Sequence, residues 1–429
     1  MDVKIEKLIY GGDGLAHADG STVFVPFVLP EEEVAVEPVE RKKKFVRGRV
    51  QRLLTPSPER VVPRCPYFHS CGGCHYQHIP YEAQLRYKSE ILRETLRRIG
   101  RIDWSGPITS HPSPPWGYRN RAQWKVRSTS SGDGSNHGNL GIGYFGAGST
   151  AFIAVDECAI LSPCLERTLR SLREAFAARE LPSAIREIEA FVDAADRKLL
   201  LNVAFTSSAT PVSTLAEKFR QILPDAVESM LFHDPGQDRM ELLGPGYLLY
   251  NVAGNNYRVG HMSFFQVNRF LVEEMMRTVA GDAPAEGLAL DLFAGVGLFA
   301  LPLANCSTRV IAVESNPASL RDLEANLASS RGHVESRGAD VEDFIARFRE
   351  KPQLVVVDPP RAGLDPRALA HLGRLGSEQI RYVSCDPSTL ARDLAELLKA
   401  GYVIDKVHLF DLFPQTFHIE SVVRLARRS

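Results

Sequence analysis

The sequence predicts a three-part chain: a small all-β barrel over residues 1–55, a central α+β domain over 56–250, and a doubly wound α/β domain over 251–429. Three observations predict it. Strand-like runs punctuated by Gly and Pro fill the first part, and strand and helix patterns mix in the second. After about 250, apolar strands alternate with helical stretches, the pattern of a largely parallel sheet covered on both faces. With 429 residues, 44% hydrophobic and 24% charged, the chain can build several packed cores, which excludes disordered and fibrous classes.

In the first part, alternating and β-branched runs at 3–10, 21–28, 32–40 and 45–54 are separated by turn signals such as GGDG, and TPSPER at 55–60 reads as a linker. No stretch approaches the roughly 18 apolar residues of a membrane span, and the start of the sequence has no basic segment leading into an apolar one. A soluble protein of a reducing, cytoplasmic compartment is expected. Nothing suggests a symmetric apolar patch, so a monomer is expected as well.

The formal net charge of −1 hides a dipole. Residues 41–130 carry 19 Lys/Arg against 5 Asp/Glu, including Arg41, Lys42, Lys43, Lys44, Arg47, Arg49 and Arg52, then Arg93, Arg97, Arg98 and Arg101, then Arg119, Arg121, Lys125 and Arg127. Such a field attracts polyanions, and the interleaved Tyr67, Phe68, Tyr118 and Trp124 are candidates to stack on bases; the alternative is ordinary core aromatics beside a solvated face. A nucleic acid is the expected partner.

The central part opens with cysteines. Three of the seven occur as Cys65-x5-Cys71-x2-Cys74, and Cys158 or Cys164 offers a fourth thiolate, a set that serves either zinc or an iron–sulfur cluster. The stretch 81–100 repeats Leu85, Ile91, Leu92, Leu96 and Ile99 at helical spacing. Further strand-like and helical runs follow, divided by the Gly/Ser-rich SSGDGSNHGN.

In the last part, Asp291-Leu-Phe-Ala-Gly295-Val-Gly297 follows a strand and opens a helix, and Glu314 ends the next strand. Glycines there let backbone turn tightly beside a ligand, and a carboxylate ending the second strand can hold both ribose hydroxyls. A nucleoside cofactor is expected. The third glycine of the dinucleotide fingerprint is missing, and Asp291 at the strand end resembles the class I S-adenosylmethionine methyltransferases, where it orients the amino-acid part of the cofactor, with NAD as the alternative; Asp340 after the third strand would lie near an adenine or simply begin a helix.

Asp358 ends the fourth strand and Cys385 the fifth, so both should face one pocket. Methylation of N or O would leave a cysteine idle. A pyrimidine C5, by contrast, becomes nucleophilic only after addition at C6, and a thiolate is the natural adduct-former. Cys385 is the candidate nucleophile. A base must then remove the C5 proton, and Glu420 on a terminal strand is the candidate.

Together DLFAGVG, VESNP, VVVDPPRAGL, VSCDPSTLARD and LFPQTFHIE, preceded by SFFQVN, resemble the RNA uracil-C5 methyltransferases, with 5-methyluridine as product. The resemblance implies a class I Rossmann-like methyltransferase domain behind an OB-like TRAM barrel. It implies that Gln266, Phe293, Glu314 and Asp340 contact S-adenosylmethionine beside Asp291 and Gly295, and that Asp358 binds the flipped uracil and lines the cofactor pocket. It selects a [4Fe-4S] cluster on Cys65, Cys71, Cys74 and Cys158, leaving Cys164 spare. Three departures stand out. Asp386 replaces a common Asn and adds charge beside the thiol, Ala294 replaces a common Cys, and Leu298 stands where an Asn can contact cofactor. The barrel and cysteine domain together point to 23S rRNA as substrate, with tRNA as the alternative. A non-catalytic ribosome-assembly factor is disfavoured because nucleophile, base and cofactor loop are all present.

Overall fold

The computed structural model describes residues 1–128, 140–206, 211–328, 330 and 332–428. The Gly/Ser-rich 131–139 stretch lies outside the described residues. Among those described, three larger sheets organise the chain.

Six strands at the start, in spatial order Asp2–Lys4, Glu33–Arg41, Phe45–Thr55, Ser21–Pro26, Asp13–Ala18, Lys7–Leu8, wrap a core of Val3, Ile5, Val23, Val25, Val34, Val36 and Val46. Alternation places these valines on one face, as period-2 patterning requires. A second, seven-stranded sheet runs Phe152–Ala154, Leu140–Phe145, Arg121–Ser128, Ile185–Val192, Leu199–Phe205, Val227–Asp234, Arg239–Leu243. The helices Pro163–Ala177 and Val212–Ile222 bury Leu165, Leu169, Leu215 and Phe219 in its core.

The third sheet has eight strands, in order His333–Gly338, Arg309–Glu314, Leu288–Leu292, Leu354–Val357, Gln379–Ser384, Glu420–Arg427, Tyr402–Phe410, Ile108–His111. Its first five strands are parallel, Glu420–Arg427 pairs antiparallel to both neighbours, and the edge strand is parallel. Helices between the parallel strands start on polar caps written in the sequence: Asn316, Asp365 and Asp386 each precede a proline and accept backbone N–H groups of the first turn.

Two segments expected inside the 56–250 domain belong to this third sheet instead. Ile108–His111 is its edge strand, and the helix Tyr81–Arg98 packs Ile91, Leu92 and Leu96 into the core beneath it. That core also takes Leu8 and Leu29 from the first sheet, so the barrel is joined to the α/β domain by shared apolar burial. Lys88 on the same helix, completely buried, meets Asp411 at 2.6 Å and donates to the Phe413 carbonyl at 3.0 Å. This pins the loop that leads to Glu420.

No helix among the described residues is long and apolar enough to cross a membrane.

Candidate active site

The carboxyl ends of the parallel strands gather the residues singled out by the sequence. Leu288–Leu292 is buried along its whole length, and Asp291 on it is fully buried, with the Ala300 backbone N–H the one group that opposes the rise of its carboxyl. Burial first, then the Asp358 and Glu314 charges, push its carboxyl well above the ordinary range. A buried acid with so little compensation suits a cation, and the ammonium of an S-adenosylmethionine amino-acid tail fits that chemistry. Just beyond it the chain turns through Phe293 at φ 63°, Gly295 at 56° and Gly297 at 90°. A left-handed Phe costs about 1–3 kcal/mol, so the turn is held by its surroundings. The Gly295 N–H donates to Glu314 at 2.8 Å and the Asn316 N–H donates to its other oxygen at 2.6 Å. Both bonds aim a carboxylate at the mouth of the glycine turn.

Gln266 is buried in the loop before the Val272–Ala280 helix, and its carbonyl accepts from Asn120 at 3.0 Å. Asp340 is exposed and caps Val341–Arg347, accepting from the Glu342 N–H at 2.8 Å. The helix-start alternative is therefore realised, and its carboxylate also edges a cavity of about 360 Å³ with Phe344 and Phe348.

Cys385 follows Gln379–Ser384, and Glu420 opens the antiparallel neighbour, so the two lie one step beyond the Ser384–Ser421 pair. Asp358 follows Leu354–Val357 on the other side. Burial pushes the Asp358 carboxyl up to about 7. Glu420 is raised well above its usual range, by burial and then by Asp358, with Arg361 opposing. The Cys385 thiol is pushed up to about 11 by burial, with Glu420 and Asp358 adding to the rise and the neighbouring Arg361 guanidinium, within hydrogen-bonding reach, pulling it down. Asp386 is not among the groups that raise it. Its carboxylate is engaged in capping Pro387–Lys399, accepting from Ser388 and Thr389 at 2.8 and 3.0 Å, where a helix N-terminus offsets its charge.

Cys65, Cys71, Cys74 and Cys158 line one cavity of about 470 Å³. They are close enough to act on one another's ionisation, and burial pushes Cys74 and Cys158 up to about 12. As placed, no three His, Cys, Asp or Glu side chains among the described residues converge on one metal-ion position. Cys164 is buried elsewhere, in the central core. Arg361, Thr416 and His418 line the far wall of the same cavity, so it abuts the nucleophile's surroundings.

Residues 248–428 match the tRNA (Uracil-5-)-methyltransferase family model and 1–51 match the TRAM domain model. An uncharacterized RNA methyltransferase of Aquifex aeolicus is 33% identical, with 99% of this chain and 98% of that one covered. A Salmonella choleraesuis protein described as 23S rRNA (uracil(1939)-C(5))-methyltransferase is 32% identical over 100% of this chain and 96% of its own. The chain belongs to the RNA uracil-C5 methyltransferase family. It is thus an enzyme that uses S-adenosylmethionine to methylate uracil C5 in RNA. The crystal structure of Pyrococcus abyssi tRNA (uracil-54, C5)-methyltransferase with S-adenosyl-L-homocysteine superimposes at TM-score 0.76 and 27% identity, covering 99% of this chain and 100% of that one.

In this uracil-C5 methyltransferase the basic segment is less available than its sequence suggests. Arg121 pairs with Glu189 at 3.1 Å, Lys125 pairs with Glu187, and Arg49 pairs with Glu37 at 2.8 Å. Tyr118 and Trp124 are fully buried and Phe68 nearly so, which removes them as base-stacking candidates and makes them core aromatics. Sequence reasoning gave no role to Arg361, although it stands inside the quoted VVVDPPRAGL motif. Tyr10, at the first turn of the barrel, went unnoticed as well. No local pattern carries its contact with a residue 375 positions away.

Proposed function

We propose that this methyltransferase converts a uridine of 23S rRNA to 5-methyluridine through a covalent adduct at Cys385. The observation that carries the mechanism is the cross-strand placement of Cys385 beside Glu420, with Asp358 on the adjacent strand end. Asp358, held near neutrality by burial, hydrogen-bonds the uracil edge and borders the cofactor. The Cys385 thiol gives its proton to solvent, the Arg361 charge favouring the thiolate, and the sulfur then adds to C6 as the electron pair moves to C5. C5 takes the methyl group of S-adenosylmethionine, and the C–S bond pair stays with the departing S-adenosylhomocysteine. Glu420 removes the C5 proton as a carboxylate, the form that Arg361 favours against burial, and the C6–S bond breaks as the double bond returns. Burial raises Glu420's affinity for that proton.

Asp291, Phe293, Gly295, Glu314, Gln266 and Asp340 form the cofactor side: Asp291 for the ammonium, Glu314 for the ribose hydroxyls, and Phe293 and Asp340 toward the adenine. A target base must leave its stack to reach Cys385, and the exposed part of the basic surface holds the backbone while it does. Cytoplasmic location and a monomer suit this activity.

The four-thiol cavity fits a [4Fe-4S] cluster. Cys65, Cys71, Cys74 and Cys158 would hold it, and its volume suits a group larger than a single ion. When bound it would supply a rigid link between the central domain and the strand ends; no step of the reaction runs through it.

The 23S rRNA reading rests on the Salmonella relative and the domain content, and the Pyrococcus neighbour supports tRNA as the second reading. Labelled S-adenosylmethionine incubated with unmodified RNA, fractionated into ribosomal and transfer RNA and digested to nucleosides, tests both. Label in 5-methyluridine from 23S rRNA is expected. Label from tRNA alone would reverse the substrate, and none in either would remove the activity.

A further inference from the structure

We propose that Tyr10, carried by the N-terminal barrel, is a positioning residue for the Cys385 nucleophile, so that RNA held by the barrel acts on the chemistry as well as on affinity. The inference rests on the adduct mechanism above.

Tyr10 occupies the turn between Lys7–Leu8 and Asp13–Ala18. Its hydroxyl reaches the Cys385 carbonyl at 3.4 Å, across 375 residues of sequence, and also hydrogen-bonds the Asp386 carboxylate, so it engages both sides of the Cys385–Asp386 peptide. Its ring meets Phe417 edge-on, with centroids 5.8 Å apart at 87°. Phe417 lies three residues before Glu420, so one barrel side chain touches both the nucleophile's backbone and the loop that delivers the base. The turn is shaped for this approach. Gly12 has φ +93°, and a Cβ there would lie 3.1 Å from the Phe417 ring, so a larger residue would push barrel and loop apart.

The other side of Tyr10 faces a cleft of about 900 Å³ between the barrel and the Tyr81–Arg98 helix. Arg97 and Ser388 line it as well, together with Lys7 and Arg98, which pair with Glu94, and His17, which pairs with Glu6. RNA seated in that cleft would bear on the residue that holds the Cys385–Asp386 peptide. Fixing this peptide fixes the direction in which the thiol leaves the backbone, because Asp386 is locked on its other side as a helix cap. Burial and the Asp386 charge raise the phenol, keeping it a donor at working pH.

A purely structural Tyr10 would act through stability, and a purely RNA-holding one through KM. The test is Tyr10→Phe in the full chain, which keeps the ring and removes the hydroxyl. Steady-state methylation of 23S rRNA is measured together with the rate of covalent protein–RNA formation in a Glu420→Gln background, S-adenosylmethionine affinity and the unfolding midpoint. A fall in kcat of about tenfold is expected, within the range that small misplacement of a reacting group produces. Adduct formation should slow in parallel, while KM for RNA, cofactor affinity and the unfolding midpoint stay at wild-type values. Wild-type kcat, a raised KM alone, or a kcat loss matched by a lowered unfolding midpoint would each overturn the positioning role. Absence of methyl transfer and adduct in the wild-type protein would instead overturn the mechanism and the inference with it.

Discussion

Cys385 and Glu420 each lie one residue past the paired Ser384 and Ser421 on two antiparallel strands, close enough that the Glu420 charge raises the Cys385 thiol. Cross-strand neighbours of this kind have Cα atoms about 4.5–5.5 Å apart, which suits a nucleophile and a base working on adjacent carbons of one ring. Glu420→Gln should therefore form the adduct and fail to resolve it. A protein–RNA species stable to denaturing electrophoresis is expected, and Cys385→Ala in the same background should abolish it. If Glu420→Gln turns over at the wild-type rate, another residue is the base.

The resting thiol should be sluggish. Its ionisation is pushed up to about 11, so the reactive thiolate grows roughly tenfold per pH step well beyond pH 9 in the free protein. Alkylation of Cys385 by iodoacetamide, followed by mass spectrometry from pH 7 to 10, checks this. A plateau by pH 8 would contradict it. Arg361→Ala should slow alkylation further at every pH, since the guanidinium is the group that opposes the rise.

Asp291 trades stability for binding. A carboxyl whose folded pKa lies above its unfolded value costs stability as pH rises past the unfolded value, and Asp291 is raised by burial. Asp291→Asn should make the free protein more stable at pH 7 and weaken that part of its pH dependence. It should also weaken S-adenosylmethionine binding by tenfold or more, the loss of a charged hydrogen bond worth about 1.5–3 kcal/mol. Thermal unfolding and calorimetric titration read the two effects, and unchanged affinity would move the ammonium elsewhere.

Removing Lys88 strands a buried charge on Asp411. Lys88→Ala should cost about 3–5 kcal/mol in urea unfolding, whereas Lys88→Met with Asp411→Leu should recover much of it. The double variant should still lose activity, because the Phe413 carbonyl loses its donor and the loop before Glu420 loosens. Full activity in the double variant would show that the loop needs no such anchor.

Protein purified without oxygen should be brown and contain about four irons per chain with matching acid-labile sulfide, and Cys74→Ser should reduce both. Stoichiometric zinc without iron would replace the cluster assignment.

The strand ends were legible because each carries its own local signature: Asp291 before a glycine turn, Asp358 before Pro-Pro, Cys385 before an Asp-Pro helix start. Period-2 and period-3.6 patterning likewise announced the three sheets and the Tyr81–Arg98 helix. Which sheet a short segment joins was illegible. ITSH at 108–111 has no long alternation, and its partner is chosen by docking against Tyr402–Phe410. The buried state of Tyr118 and Trp124 was equally hidden, since an aromatic among arginines reads the same whether the strand faces core or solvent. Tyr10 shows the limit most plainly. Its contacts come from how two domains meet, a relationship that spacing along a chain does not encode.

The edge strand also sets a schedule for synthesis. Ile108–His111 leaves the ribosome about 300 residues before Tyr402–Phe410, the only neighbour it pairs with among the described residues. At ordinary elongation rates that is a wait on the order of tens of seconds. During it, the segment that follows the Tyr81–Arg98 helix keeps an unpaired backbone edge, and the apolar face of that helix has no sheet to cover. The early half of the nascent chain is consequently the part that waits longest for its structural partners.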